Sequence, residues 1–379
     1  MMYLEGVRVL DLSRILAGPF CTQNLADMGA DVLKIEAPGG DDTRTWGPPF
    51  QGDMAAYFQS CNRNKSSLVL DLKTDDGAAR LARLIEVADV VVDNFPPGVR
   101  RRLGLSRSRI AELNPRAITM SITGYRGDRA QEPGYDIMIQ AESGMMGITG
   151  PRGDRGGEEA FKVGVALVDV LTGLMAANGI LAALFRRERT GQAAALSVTL
   201  YQTALMSLIN VAANYLVSGK PSARWGNEHP NIVPYQSFRL KDRSIIIGAG
   251  NDTQFRRLSL LLGFEEPEWL ARSNADRVAH REEVIGRLSA VLADWESERL
   301  MALLKREKIP HAPILRPDEA LSQVSTWDPS ALLALDHAEL GTVRLPAPAL
   351  EGTGMRTAHQ APPRLGEGGE AMATRWLEP

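Results

Sequence analysis

The chain is poor in the features that mark several large protein classes. Among its 379 residues there are two cysteines, Cys21 and Cys61, which excludes a disulfide scaffold and offers no zinc-type spacing. Lys plus Arg number 43 against 46 for Asp plus Glu, so a net charge of −3 leaves no basic excess for a polyphosphate lattice and argues against nucleic-acid binding. The five histidines (His229, His280, His311, His337 and His359) form no H-E-x-x-H pair, and no G-x-S-x-G elbow occurs. No metal is expected. The opening MMYLEGVRVLDLS has neither an apolar signal core nor an Arg- and Ser-rich transit segment, which points to the cytoplasm. A dinucleotide fingerprint is missing too. After the first strand the turn reads LSRILAGPF with Gly18 alone, and the glycine-dense GITGPRGDRGG (147–157) has no GK[ST].

Long apolar runs are also scarce, with one exception. Between Lys162 and Arg186, VGVALVDVLTGLMAANGILAALF is long enough to span a bilayer and carries a single charge, Asp169. It also holds Thr172 and Asn178, is rich in Ala and Gly, and has no second apolar partner, so a helix buried through close packing of small residues is expected rather than a membrane span.

What is present alternates strand and helix. VRVLDLS (7–13), a helix opened by Pro19 and carrying Phe20, Leu25 and Met28 on one face, and ADVLKIEAP (30–38) make a first strand–helix–strand unit. SLVLDL (67–72), a helix over 75–87 with Thr74 as N-cap, and ADVVVDNF (88–95) make a second; AITMSIT (117–123) and AAALSVTL (193–200) add strands. Apolar runs this continuous imply a parallel sheet covered on both faces, hence an open α/β domain. The long helix closes at R-T-G-Q with Gly191 just past its end, and another helix follows to Val217. Residues 218–234 are rich in breakers and read as a linker, after which SFRLKDRSIIIGAG reads as a hairpin. The expected division is a large domain over 1–217 and 341–379, a smaller α+β domain over 235–325, and a return linker over 326–340.

Asp169 is the leading chemical candidate. Burying a carboxylate costs several kcal/mol unless it is capped, paired or catalytic. In a first helical turn the dipole favours its ionised form, and a desolvated carboxylate can attack an activated acyl group. The residues alone leave a nucleophile and a buried acceptor or N-cap both open. His229, in WGNEHPN, mixes imidazole with aromatic and amide groups in a loop. Three clusters at strand ends, GGDDTR (39–44), NRNK (62–65) and NFPPGVRRR (94–102), suit an anionic small molecule.

LEGVRVLDLSRILAGPFCTQNLADMGADVLKIEAPGGDDTR, NRNKSSLVLDLKTDDG, ADVVVDNFPPG and GVALVDVLTG together resemble the class III (CaiB/BaiF-type) CoA-transferases over nearly the whole chain. RWGNEHPNIVPYQSF and GAGNDTQF resemble its succinyl-CoA:dicarboxylate branch, typified by the succinyl-CoA:glutarate enzyme. The resemblance implies a Rossmann-like CoA-binding domain, an interlocked homodimer, CoA and acyl-CoA as substrates, and no tightly bound cofactor. It makes Asp169 the nucleophile that becomes an aspartyl-CoA thioester. It assigns CoA contacts to Ala17, Leu70, Lys73, Asn94, Phe95 and Arg102. Where some members carry an arginine after the K-I-E strand this chain has Ala37, and Arg44 is the candidate to replace it. For a dicarboxylate acceptor the candidates are Arg14, Arg44, Arg63, Tyr135 and His229. The family also includes α-methylacyl-CoA racemases; here Tyr135 and Asn251 stand where those need a histidine and a glutamate, and neither is a competent base near neutral pH. A CoA-binding protein without turnover is the remaining alternative.

Overall fold

The computed structural model describes residues 1–153 and 156–378, so Asp154 and Arg155 of the glycine-dense loop, and Pro379, lie outside the described residues. The chain forms two compact units. The first comprises 1–145, 162–220 and 325–379; the second comprises 146–161 and 221–324. The stretch 146–161, which holds the glycine-dense segment, thus falls in the second unit rather than in the large domain expected over 1–217.

A six-stranded sheet organises the first unit. Its strands are β1 (Arg8–Asp11), β2 (Asp31–Glu36), β3 (Lys65–Val69), β4 (Val90–Asp93), β5 (Ile118–Thr123) and β6 (Ala195–Thr199). They lie in the order β3-β2-β1-β4-β5-β6, and every pairing is parallel. This is the doubly wound order, in which the connections leave β1 in opposite directions and open a crevice between the carboxyl ends of β1 and β4.

Alternation along the strands explains the two covered faces. Val9, Val32, Val90 and Val92 enter one core; Leu10, Leu33, Ile35 and Val91 enter the other. On the first face the apolar series gives way to Asp11, Lys34 and Glu36 toward the carboxyl ends of the strands, all of them buried. The sheet is oily at one end and ionic at the end where a ligand would bind.

Four helices position the site: α1 (Ala17–Asp27), α2 (Asp75–Val87), α3 (Asp136–Glu142) and α4 (Leu167–Thr190). Thr74 caps α2 by accepting the N–H of Gly77, as its place before the apolar series predicts. Helix α4 is long and apolar enough to cross a membrane by length and composition. One of its faces instead packs into the first unit's core through Val168, Thr172, Gly173, Ala176, Ala177 and Ile180, and it ends on Gly191 at φ 71°. Gly173 makes the closest approach to α1: a Cβ there would stand 2.6 Å from the carbonyl oxygen of Ala17.

The second unit has an antiparallel sheet of β7 (Tyr235–Arg239), β8 (Ser244–Gly248) and β9 (His311–Pro313), with β7 and β8 forming the expected hairpin. Its own core holds Phe238, Ile245, Ile247, Phe255, Trp269 and Leu288. The stretch 326–340 is not a bare linker. It contains β10 (Leu332–His337), paired antiparallel with β11 (Gly341–Pro346), because Leu333, Leu335, Val343 and Leu345 supply a small apolar cluster of their own. The tail, rich in Pro and Gly, ends in a helix, α5 (Gly369–Leu377), whose Ala373 and Trp376 bury against the α2 side of the first unit's sheet.

Candidate active site

A cleft of about 260 Å³ opens at the carboxyl ends of β1 and β4, lined by Arg14, Ile15, Leu16, Ala17, Asn94, Pro96, Thr123, Gly124, Tyr135 and Asp169, among others. Its floor is the loop after β1. Ile15 sits there at φ +71°, a conformation that costs a β-branched residue of order 1–3 kcal/mol and persists only where its surroundings enforce it.

Those surroundings are visible. The Ile15 N–H donates to both oxygens of Asp41 at 3.3 Å, Asp41 is paired with Lys34 at 2.9 Å, and Lys34 Nζ also donates to the carbonyl of Ser13 at 2.8 Å. Both members of that ion pair are fully buried. Burial alone would discharge Lys34, but Asp41, Asp11 and Glu36 outweigh it and hold the ammonium above its ordinary value. The same holds in reverse for Asp41, where burial pushes the carboxyl up and Lys34 brings it below the usual range. Beside this pair, Lys65 Nζ reaches Asp11 at 3.2 Å, Pro19 O at 2.8 Å and Asn62 Oδ1 at 2.9 Å. From the other side Asn94 holds the loop through the backbone of Arg14.

Asp169 is the third residue of α4, half-buried on the cleft wall. Among the described residues no group donates a hydrogen bond to its carboxylate. Burial, and then the neighbouring Asp136 charge, push its carboxyl up to about 7. Tyr57, on the helix Ala56–Gln59, faces the same charge: burial first and Asp169 next raise its phenol to about 12. Trp46 packs edge-on to that ring at 5.2 Å. The arrangement offers a partly buried carboxylate of raised basicity on a cleft wall, a group suited to attack on an acyl carbon.

The structure gathers some of the residues singled out from sequence and disperses others. Ala17, Asn94, Arg14 and Tyr135 join Asp169 in the cleft, with Tyr135 exposed and Arg14 loosely paired to exposed Asp42 at 3.4 Å. Leu70 is buried in the core on the α2 face, and Phe95 packs against that core. Lys73 is exposed in the turn before α2. Arg102 is exposed at the end of the helix Pro97–Arg102 and lines a second cavity of about 250 Å³ with Leu72, Ala78, Leu81, Ile85 and Arg109.

Two acceptor candidates are engaged elsewhere. Arg44 makes a two-pronged ion pair with Glu36 at 2.8 and 2.6 Å, donates to Pro363 O and stacks over Phe58 at 3.7 Å. Arg63 is buried and spends its guanidinium on Asp27 at 2.9 and 2.6 Å and on Pro346 O at 3.2 Å. Neither lines the cleft, because each answers a buried carboxylate that would otherwise be unpaired. His229 lies in the second unit, where its Nδ1 accepts the N–H of Asn231 and its ring meets Tyr235 at 5.5 Å. Asn251 caps the helix Asp252–Leu261 by accepting from Gln254 N. Among the described residues no cluster of three or more His, Cys, Asp or Glu side chains could hold a metal ion.

Sequence reasoning passed over Asp136, Gln140 and Tyr57. Asp136 lies 33 residues before Asp169, with no periodic relation to it, and only the fold makes them neighbours.

A doubly wound sheet with a partly buried carboxylate at its crevice defines an open α/β protein with a candidate site, and comparison with known proteins supplies its class. Residues 4–368 match the model of CoA-transferase family III, and the chain belongs to that family. It is 39% identical over 370 residues to the succinyl-CoA:glutarate CoA-transferase of Mus musculus, covering 96% of this chain and 84% of that protein. To the succinate–glutarate CoA-transferase of Agrobacterium fabrum it is 40% identical over 352 residues, covering 90% and 86% of the two chains. A crystal structure of a CaiB/BaiF family protein from Brucella suis superposes with a TM-score of 0.85 at 36% identity, covering 99% of both chains.

Proposed function

We propose that this CoA-transferase moves CoA from succinyl-CoA to a dicarboxylic acid, glutarate being the first to test, through covalent intermediates on Asp169. The observation that carries the reading is the Asp169 carboxylate itself: half-buried on a cleft wall, with no donor among the described residues, and with its carboxyl pushed up to about 7.

In this proposal Asp169 attacks the thioester carbonyl carbon. The C–S bond breaks and CoA leaves as thiolate, giving a mixed anhydride. The thiolate then attacks the Asp169 carbonyl carbon, releasing succinate and leaving an aspartyl-CoA thioester. The acceptor carboxylate displaces the thiolate from that thioester to give a second anhydride. Return of the thiolate to the acceptor's carbonyl frees Asp169. No bond energy is surrendered to water, provided the cleft stays dry. Arg14 would hold the second carboxylate, a role supported by its lining the cleft and being only weakly engaged by Asp42. Lys73 and Arg102 would meet CoA phosphates, with the cavity beside Arg102 for adenine. The enzyme would act in the cytoplasm as an interlocked homodimer, with acyl-CoA as substrate and no resident cofactor.

Incubation with succinyl-CoA alone, followed by peptide mass spectrometry, tests the reading. A hydroxylamine-sensitive adduct is expected on the peptide that contains Asp169, and transfer to glutarate should disappear in Asp169→Ala. Wild-type turnover in that variant would overturn the mechanism. A panel of dicarboxylic acids with no turnover, despite CoA binding, would overturn the activity.

A further inference from the structure

Helix α4 starts without a cap of its own, because Ala166 at its N-cap has no side-chain acceptor. The acceptor is brought in from α3. Asp136 Oδ2 accepts the N–H of Val168 at 2.8 Å and that of Asp169 at 3.2 Å. Its other oxygen accepts from Gln140 Nε2 at 2.5 Å, and Gln140 Oε1 accepts the N–H of Val163 at 2.9 Å. Both side chains are buried. One acidic residue and one amide therefore hold the approach to α4 and its first turn together.

For stability alone, a serine or threonine at position 166 would cap the helix as well. The chain instead places a second carboxylate beside the first. We propose that Asp136 is a positioning residue for the Asp169 nucleophile: it fixes the turn that carries it, occupies the N–H groups that would otherwise stabilise its charge, and repels that charge until acylation removes it. This rests on the reading of Asp169 given above. When an Asp169 oxygen bonds to the acyl carbon and the C–S electron pair leaves on the CoA thiolate, the side chain becomes neutral. Its repulsion from Asp136 then ends. The repulsion raises the free enzyme but not the anhydride or the thioester, so it favours loading of Asp169. A more basic carboxylate is also a better nucleophile and a poorer leaving group.

The other groups near Asp169 leave Asp136 as the principal charge acting on it. Tyr57 has its phenol raised, as described above, and is neutral near pH 7. Arg14 is at the exposed rim, paired with Asp42. Cys21, on α1, is buried and held protonated by burial and by Asp11. Glu142, further along α3, is engaged by Tyr125 and Arg129. Tyr201 packs at a tilt against Tyr125, ring centroids 5.6 Å apart.

The test is Asp136→Asn, which keeps an acceptor oxygen for α4 and removes the charge. In kcat/KM against pH, the acid limb assigned to Asp169 should move down by about one unit. Above that limb kcat should fall several-fold, with the KM for succinyl-CoA little changed. A cap of purely structural importance would lower Tm and leave the limb where it is, so an unmoved or raised limb overturns the proposal. If Asp136→Asn does not fold, Asp136→Glu keeps the charge but displaces it; a limb near the wild-type position with kcat reduced about tenfold or more supports positioning, and wild-type kcat overturns it. The two readings fail separately. No adduct on Asp169 in the wild-type enzyme refutes the nucleophile, whereas a normal adduct with an unmoved limb in Asp136→Asn refutes only the role of Asp136.

Discussion

Asn94 grips Arg14 at both polar atoms of its backbone: its Oδ1 accepts the N–H at 3.0 Å and its Nδ2 donates to the carbonyl at 2.8 Å. A side chain at the end of β4 thereby fixes the loop that leaves β1, across the crevice where the sheet changes winding direction. Asn94→Ala removes both bonds, each worth about 1 kcal/mol. Its kcat/KM for acyl-CoA is expected to fall about tenfold with a small change in Tm, measured by steady-state kinetics and calorimetry.

The strained loop also depends on the ion pair beneath it. Lys34→Met leaves Asp41 buried without its counter-charge, and the expected loss is about 3–5 kcal/mol. A fall in the urea midpoint at unchanged slope would show it. A variant as stable as the wild type would mean that Asp41 finds another partner.

Close packing of α4 on α1 should be position-specific. In Gly173→Ala the new methyl would meet the Ala17 carbonyl oxygen at 2.6 Å, so α4 must shift. Asp169 lies one turn, about 6 Å, from that contact on the same face. We expect a stability loss of about 1–3 kcal/mol and turnover reduced tenfold or more. Gly179→Ala meets only the flexible end of Met120 at 3.2 Å and Leu196 at 3.5 Å, and should stay within about 1 kcal/mol of wild type through its gain in helix propensity.

Asp169 itself should weaken the fold at neutral pH. Its carboxyl titrates at about 7 in the folded chain against an ordinary value of 3.8, so the folded state holds the extra proton between those limits. The resulting penalty is absent below about pH 4, grows as pH rises and is complete above 7. Asp169→Asn removes it. The variant's Tm should exceed that of the wild type at pH 8 by roughly 2 °C or more, and the gain should vanish near pH 4. Equal Tm values at pH 8 would contradict the burial described here.

Much of this was legible in the amino acids. Strand runs such as VRVLDLS and ADVVVDNF, punctuated by Pro and Gly, are enough to specify a covered parallel sheet, and Thr74 and Gly191 mark helix ends through their own side-chain and backbone chemistry. Asp169 stands out because one charge interrupts an apolar run. The ionic layer was not legible. Lys34, Asp41, Asp11 and Lys65 each look like surface charges in isolation, and only parallel pairing buries them together. Arg44 and Arg63 carry the same difficulty, since no local pattern marks Glu36 at the end of β2 or Asp27 at the end of α1 as buried partners for them. The stretch 326–340 hid a strand because its apolar run LLAL is short and is followed at once by polar residues, so only pairing with 341–346 reveals it.

The outermost strand of the large sheet, β3, does not end in open water. Ser67 takes a bridge from Gly368, donates its N–H to the Glu367 carbonyl, and receives the Gly366 N–H on its hydroxyl. That lid on the sheet's rim comes from the last stretch of the chain, made only after the whole second unit has been threaded out. A fragment that stops before this segment therefore leaves that strand's margin unpaired, which makes it a poor choice for expression without residues 366–368.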